Sequence, residues 1–73
     1  MVKVDIILPV HETPTIFFEE AVKSVLNQSI SSWNLMIIDD ASSKSYNVFI
    51  KNFIKKLNDS RIKLFVNKIR LGA

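Results

Sequence analysis

The stretch MIIDDASSK, Met36–Lys44, runs four apolar residues straight into two adjacent carboxylates and then a small, hydroxyl-rich loop. With the preceding Asn34-Leu35 it reads as a short buried strand. Repulsion and desolvation both oppose two negative charges at the mouth of such a strand, so an offsetting gain is required. In open parallel sheets ligands bind beyond the carboxyl ends of the strands, which is where this acidic pair would lie.

Upstream, VKVDIILPV (residues 2–10) is short, β-branched and nearly continuously apolar, the pattern of a strand covered on both faces. Pro9 is expected to end it, because proline cannot donate to a sheet ladder. The connecting segment changes period. Phe18, Ala21, Val22, Val25 and Leu26 form one helical stripe, with Thr13 as N-cap, Pro14 at the first helical position, and Glu19 and Glu20 suited to the positive end.

Downstream, Ser42, Ser43 and Ser45 are alternative N-caps for a second helix. Its stripe is Tyr46, Ile50, Phe53, Ile54 and Leu57, with Lys51, Lys55 and Asn58 facing out. Lys55 and Lys56 complement its carbonyl end. Asn58-Asp59-Ser60 stops it. RIKLFVN then alternates Ile62, Leu64 and Val66 against Lys63 and Phe65, a third strand at a sheet edge.

The order β-α-β-α-β is that of the α/β class, a Rossmann-like half-domain with a three-stranded parallel sheet and right-handed crossovers. Such a sheet leaves an unfinished edge on its first strand and few residues to cover both faces. The chain stops in NKIRLGA, in the middle of a loop by this reading, so residues 1–73 are expected to be the first half of a larger domain.

Composition sets the bounds. Seventy-three residues, 48% hydrophobic and 23% charged, make one globular domain at most. Cysteine is absent, which removes disulfides and thiolate metal sites and fits a reducing compartment. The net charge of +3 comes mostly from residues after Asp40, including Lys51, Lys55, Lys56, Arg61, Lys63, Lys68 and Arg70. That excess is modest, and solvated helix faces account for most of it; no nucleic-acid partner is expected. No apolar run approaches the ~20 residues of a membrane span, and Asp5 interrupts any signal-peptide pattern.

Two segments end strands with unusual residues, PVHE (Pro9–Glu12) and DDASS (Asp39–Ser43), and both should share one rim. A carboxylate there can accept hydrogen bonds from a ribose hydroxyl or a base N–H, each contributing about 1.5–3 kcal/mol. Equally, one of Asp39 and Asp40 could cap the following turn while the other is solvated. Gly72 is the sole glycine, so neither a dinucleotide fingerprint nor a P-loop is present. His11 is the sole histidine and no D-x-D occurs, so no metal cluster is expected. His11 itself reads as a polar rim residue or a chemical group. Asn67, Lys68 and Arg70 follow the third strand toward the same rim, and Arg70 suits either a phosphate or open solvent.

In order and at natural spacing, VDIILPVHE, AVKSVLNQS, WNLMIIDDASS and DSRIKLFVNKIRLGA resemble the N-terminal half of a family 2 glycosyltransferase of GT-A fold. The resemblance covers essentially the whole chain. Its version with Trp33 and Ala41-Ser42 is similar to transferases that elongate surface polysaccharides. It implies a nucleotide-sugar donor, UDP-linked, with the sugar passed to a hydroxyl acceptor.

Carried over by position, Pro9, Val10 and His11 would line the nucleoside pocket, with His11 where an aromatic residue often packs on the base. Glu12 stands where Asn is common. Asp40 matches the carboxylate that bonds the base, and Asp39 is its structural or ribose-side neighbour. Asn67 and Gly72 match the loop near the phosphates. The family's D-x-D, its divalent Mg or Mn, its catalytic base and its acceptor site lie further along, so this piece should hold no cofactor and no catalytic residue. The resemblance implies a cytoplasmic protein, possible at the inner face of the membrane. Two other readings are weighed beside it. One is a phospho-acceptor receiver module, which would need its acidic pair after the first strand. The other is a subunit-association module, in which the exposed sheet edge drives self-association.

Overall fold

Three parallel strands, β1 (Val4–Val10), β2 (Trp33–Asp40) and β3 (Ile62–Asn67), alternate with helices α1 (Thr15–Leu26) and α2 (Lys44–Leu57). The structure is a computed structural model and describes residues 3–29 and 32–67. The sheet order is β1-β2-β3, so the chain advances one strand at a time in a single direction. Right-handed crossovers in one direction place both helices on the same face of the sheet.

Strand β2 shows the consequence residue by residue. Trp33, Leu35, Ile37 and Asp39 are buried, while Asn34, Met36, Ile38 and Asp40 between them are partly exposed. The register sets Ile6 beside Leu35 and Leu8 beside Ile37 on one flank, and Ile62 and Leu64 beside the same residues on the other. Phe18, Val22 and Val25 of α1 and Ile50 of α2 close over this inner face. Phe18 meets Phe49 and Phe53 of α2 edge-on, at centroid distances of 5.8 and 5.5 Å.

At the amino end of the sheet, the Arg61 guanidinium lies 3.8 Å from the centre of the Trp33 ring. Asp59 aims it, accepting from Nε at 3.0 Å and from Nη2 at 2.7 Å. This planar fork holds the Asp59 carboxyl below its ordinary value.

Three expectations are corrected. Among the described residues the sheet is covered on one face only: Ile7 and Phe65 on the other face are 58% and 50% exposed. Continuous apolarity in β1 therefore does not mean two-sided burial. Pro9 does not end β1, which pairs through Pro9 to Val10. As an edge strand, β1 tolerates the missing N–H. Helix α1 starts one residue later than expected, with Pro14 as N-cap and no side-chain cap, and no acidic residue lies in its first turn. The Pro14 carbonyl takes the amides of Phe17 and Phe18 at 3.0 and 3.1 Å instead.

Helix α2 follows its expected stripe. Among the three serines, Ser43 is its N-cap, with Oγ accepting from the Tyr46 amide at 3.3 Å. Asn58 ends it in the left-handed conformation, at φ 49°, a role suited to asparagine.

Candidate functional site

Strands β1 and β2 end side by side, with Val10 opposite Asp39. Successive side chains of a strand point to opposite faces, so the two aspartates diverge rather than face each other. Asp39 turns inward and is 0% exposed. Its Oδ2 accepts from Asn47 Nδ2 of α2 at 2.8 Å, and its Oδ1 from the Ser42 amide at 3.3 Å. A buried carboxylate with both oxygens bonded is tolerated where a bare one is not. Asp40 turns to the face that carries no helix of the described residues and is half-buried, opposite Asn67 of β3.

The loops after the two strands are fastened together. His11 Nδ1 lies 2.6 Å from the Asp40 carbonyl oxygen. A carbonyl only accepts, so Nδ1 carries the proton in this contact. The Glu12 amide donates to Ser42 Oγ at 3.0 Å. In return the Glu12 carboxylate accepts from the Ser43 amide at 2.5 Å and from Ser43 Oγ at 3.3 Å. Tyr46 of α2 donates its hydroxyl to the Thr13 carbonyl. Burial raises the Tyr46 pKa, its bond to Thr13 opposes the rise, and the negative Asp39 and Glu12 add to it, so the hydroxyl stays protonated as a donor.

Two of these loop residues hold backbone angles that L-residues avoid, Glu12 at φ 51° and Ala41 at φ 59°. Neither is Gly, Asn or Asp. The cross-loop bonds, together with the Ala41 amide bonded to the Asn67 carbonyl at 2.8 Å, hold them there.

The rim thus gathers His11, Glu12, Asp40 and Asn67, as expected from the sequence. Pro9 lies on the outer sheet face beside Ile38, and Val10 is a core residue at 2% exposure. Gly72, Lys68 and Arg70 fall outside the described residues. Sequence patterns alone do not single out Asn47 and Tyr46 as site residues. A signal for Asn47 is nevertheless present: a polar residue adjoining the inward stripe, three before Ile50. Among the described residues no three His, Asp or Glu side chains converge as a metal cage. With Asp39 and Glu12 both bonded internally, this rim does not fit a divalent cation.

With this geometry in place, the comparison with known proteins is decisive: residues 5–73 match the sequence profile of the family described as Glycosyl transferase family 2. The chain belongs to glycosyl transferase family 2. One relative of this family-2 chain is WcaA of Escherichia coli (strain K12), whose name proposes a glycosyl transferase of colanic acid biosynthesis. The two are 40% identical over 53 residues, 73% of this chain and 18% of WcaA. The family-2 chain therefore spans about a fifth of the length of that relative. Its β-α-β-α-β order and parallel sheet are consistent with the N-terminal part of a GT-A fold. Among the described residues no helix is long and apolar enough to cross a membrane. The receiver-module alternative has no observation in its favour, since β1 carries Glu12 and not an acidic pair beyond its end.

Proposed function

We propose that this family-2 chain supplies the nucleoside-recognition rim of a glycosyltransferase that uses a nucleotide-sugar donor, UDP-linked, in surface polysaccharide synthesis. The observation that carries this reading is the placement of the adjacent aspartates on opposite faces of β2, at the end of the strand. Asp39 points into the core, and Asp40 stands half-buried at the carboxyl rim where open parallel sheets bind ligands. A base N–H donated to the Asp40 carboxylate contributes about 1.5–3 kcal/mol. The His11 ring, oriented through its Nδ1 bond, offers a stacking surface beside it.

No residue of the chain is assigned a catalytic role. Transfer requires a general base within hydrogen-bond reach of the acceptor hydroxyl and, by family resemblance, a divalent metal at the diphosphate. Both are placed in the remainder of a whole enzyme, working in the cytoplasm or at the inner membrane face. The 73-residue chain is expected to bind nucleoside weakly and to transfer nothing.

Titration of the ¹⁵N-labelled chain with uridine tests the reading. The amides of His11, Glu12, Asp40 and Ala41 should shift saturably, and Asp40→Asn should weaken binding at least about tenfold, the equivalent of 1.4 kcal/mol. A silent rim at about 10 mM uridine, ten times a Kd of roughly 1 mM, would refute recognition by this chain.

A further inference from the structure

Strand β3 has β2 on one side and, among the described residues, no strand on the other. The Leu35 amide donates to the Arg61 carbonyl and the Ala41 amide to the Asn67 carbonyl, both at 2.8 Å, so the odd-numbered residues of β3 turn their backbone groups to β2. Alternate residues of a parallel strand bond to opposite sides. The N–H and C=O of Leu64 and Val66 are therefore directed outward from the sheet edge. Val66 lies on the helix face at the level of buried Asp39, yet it is 44% exposed, because no described element stands beside it there.

Lysines flank this edge. Phe49 and Phe53 meet Phe18 of α1, which marks the side of α2 that faces β1. At about 100° per residue, exposed Lys51 and Lys55 fall on the opposite flank, toward the open side of β3. Together α2 and β3 carry Lys44, Lys51, Lys55, Lys56 and Lys63, no acidic residue, and no ion pair with any described residue. Where α2 turns into β3, an open hollow of about 340 Å³ lies among Ile54, Lys55, Asn58, Asp59 and Ser60.

We infer that the β3 edge takes up an extended acidic segment of a partner protein as a fourth strand. Main-chain bonds to Leu64 and Val66 hold it, and charge selects it. Its apolar side chains lie beside Leu64 and Val66 on the helix face. Acidic side chains pair with Lys63 on the other face and, beyond the apolar pair, with Lys51 and Lys55. The hollow beside Ile54 has room for a side chain at one end of the segment. A second copy does not fit this edge. Two-fold pairing of β3 with β3 would set the lysine flanks of two α2 helices against each other, and like charges facing across an interface oppose binding. His11, Glu12 and Asp40 take no part, so the inference does not rest on the nucleoside reading.

The probe is a short capped peptide alternating Glu and Val, titrated into the ¹⁵N-labelled chain, with the corresponding Lys and Val peptide as control. With the Glu peptide the amides of Leu64 and Val66 should shift saturably and exchange with deuterium at least about tenfold more slowly; the Lys peptide should do neither. Combining Lys51→Glu, Lys55→Glu and Lys63→Glu, all exposed positions, should weaken the Glu peptide at least about tenfold. Should that variant lose its folded spectrum, Lys55→Gln with Lys63→Gln takes its place and should weaken the same peptide by a smaller factor. Equal binding of the two peptides overturns the proposal, as do indifference to the lysine variants, shifts confined to Ile7 and Met36 on the open face, or no saturable shift at millimolar peptide. A concentration-dependent dimer in sedimentation that protects the Leu64 and Val66 amides also overturns it, since the edge would then serve a second copy.

Discussion

Asn47→Ala tests the account of how a buried carboxylate is tolerated. Asp39 is 0% exposed, and its Oδ2 rests on Asn47 Nδ2 at 2.8 Å, while the other oxygen has only the longer 3.3 Å bond from the Ser42 amide. Asn47 is thus the stronger of the two donors. Removing a hydrogen bond to a charged group costs about 1.5–3 kcal/mol, and leaving that charge buried pushes the figure to the upper part of the range. A domain this small holds about 3–5 kcal/mol in all, so the variant should keep roughly half its stability or less. At about 4–8 °C per kcal/mol, a loss of about 2–3 kcal/mol lowers Tm by about 8–24 °C. Trp33, the single tryptophan and 2% exposed, provides the fluorescence signal for urea unfolding. Asn47→Asp, nearly isosteric, should be worse at neutral pH because it sets a second carboxylate against Asp39. In an Asp39→Ala background the Asn47→Ala cost should nearly vanish, which a double-mutant cycle reads directly. An Asn47→Ala loss below about 0.5 kcal/mol, typical of indifferent surface sites, would refute the reasoning.

Three further outcomes follow from the same structure. Ala41→Gly should stabilise the chain by about 0.5–1 kcal/mol, because φ 59° penalises alanine by about 1–2 kcal/mol while glycine returns part of that as unfolded-state entropy; a lowered urea midpoint would contradict the stored strain. Asp59 has its pKa depressed below the ordinary 3.8 by its hydrogen bonds to Arg61, so its contribution is present above that value and is lost as pH falls through the folded-state value. Asp59→Asn should therefore flatten the acid limb of the stability curve below about pH 4 and leave its slope at neutral pH unchanged. Phe65→Thr should change stability by less than about 0.5 kcal/mol, since Phe65 is 50% exposed on the uncovered face, and should reduce self-association in sedimentation velocity if that face is sticky. Equal sedimentation of the two chains at high concentration would clear the face of that role.

Legibility in the sequence tracks periodicity. Trp33–Asp40 and the two helix stripes repeat at 2 and 3.6 residues, and repeated burial writes itself into composition, so all five elements are readable. Pro9 misleads because the rule against proline in strands depends on having neighbours on both sides, and edge position is a property of the assembled sheet. Two-sided burial misleads for a related reason: Ile7 and Phe65 are apolar without being covered. The rim contacts are the least legible. Glu12 to Ser43 and Tyr46 to Thr13 span 31 and 33 residues between loops, and no spacing rule links such positions. Strand alternation, by contrast, is enough on its own to assign Asp39 and Asp40 to opposite faces, because they are neighbours in one strand.

That assignment makes the rim asymmetric, and the asymmetry connects the fold to its use. On the helix side, Asp39, Asn47, Ser42, Ser43, Glu12 and Tyr46 bond one another, and the start of α2 is closed by the chain's own carboxylates. Toward the other side lie Pro9, Asp40 and Asn67, on the sheet face that no helix of the described residues covers. The larger desolvation cost of the two adjacent acids falls on the buried Asp39, where Asn47 and the Ser42 amide offset it. The Asp39 brace in turn fixes the loop that follows Asp40, so under the proposed nucleoside reading the buried carboxylate would act on recognition through position and not through contact.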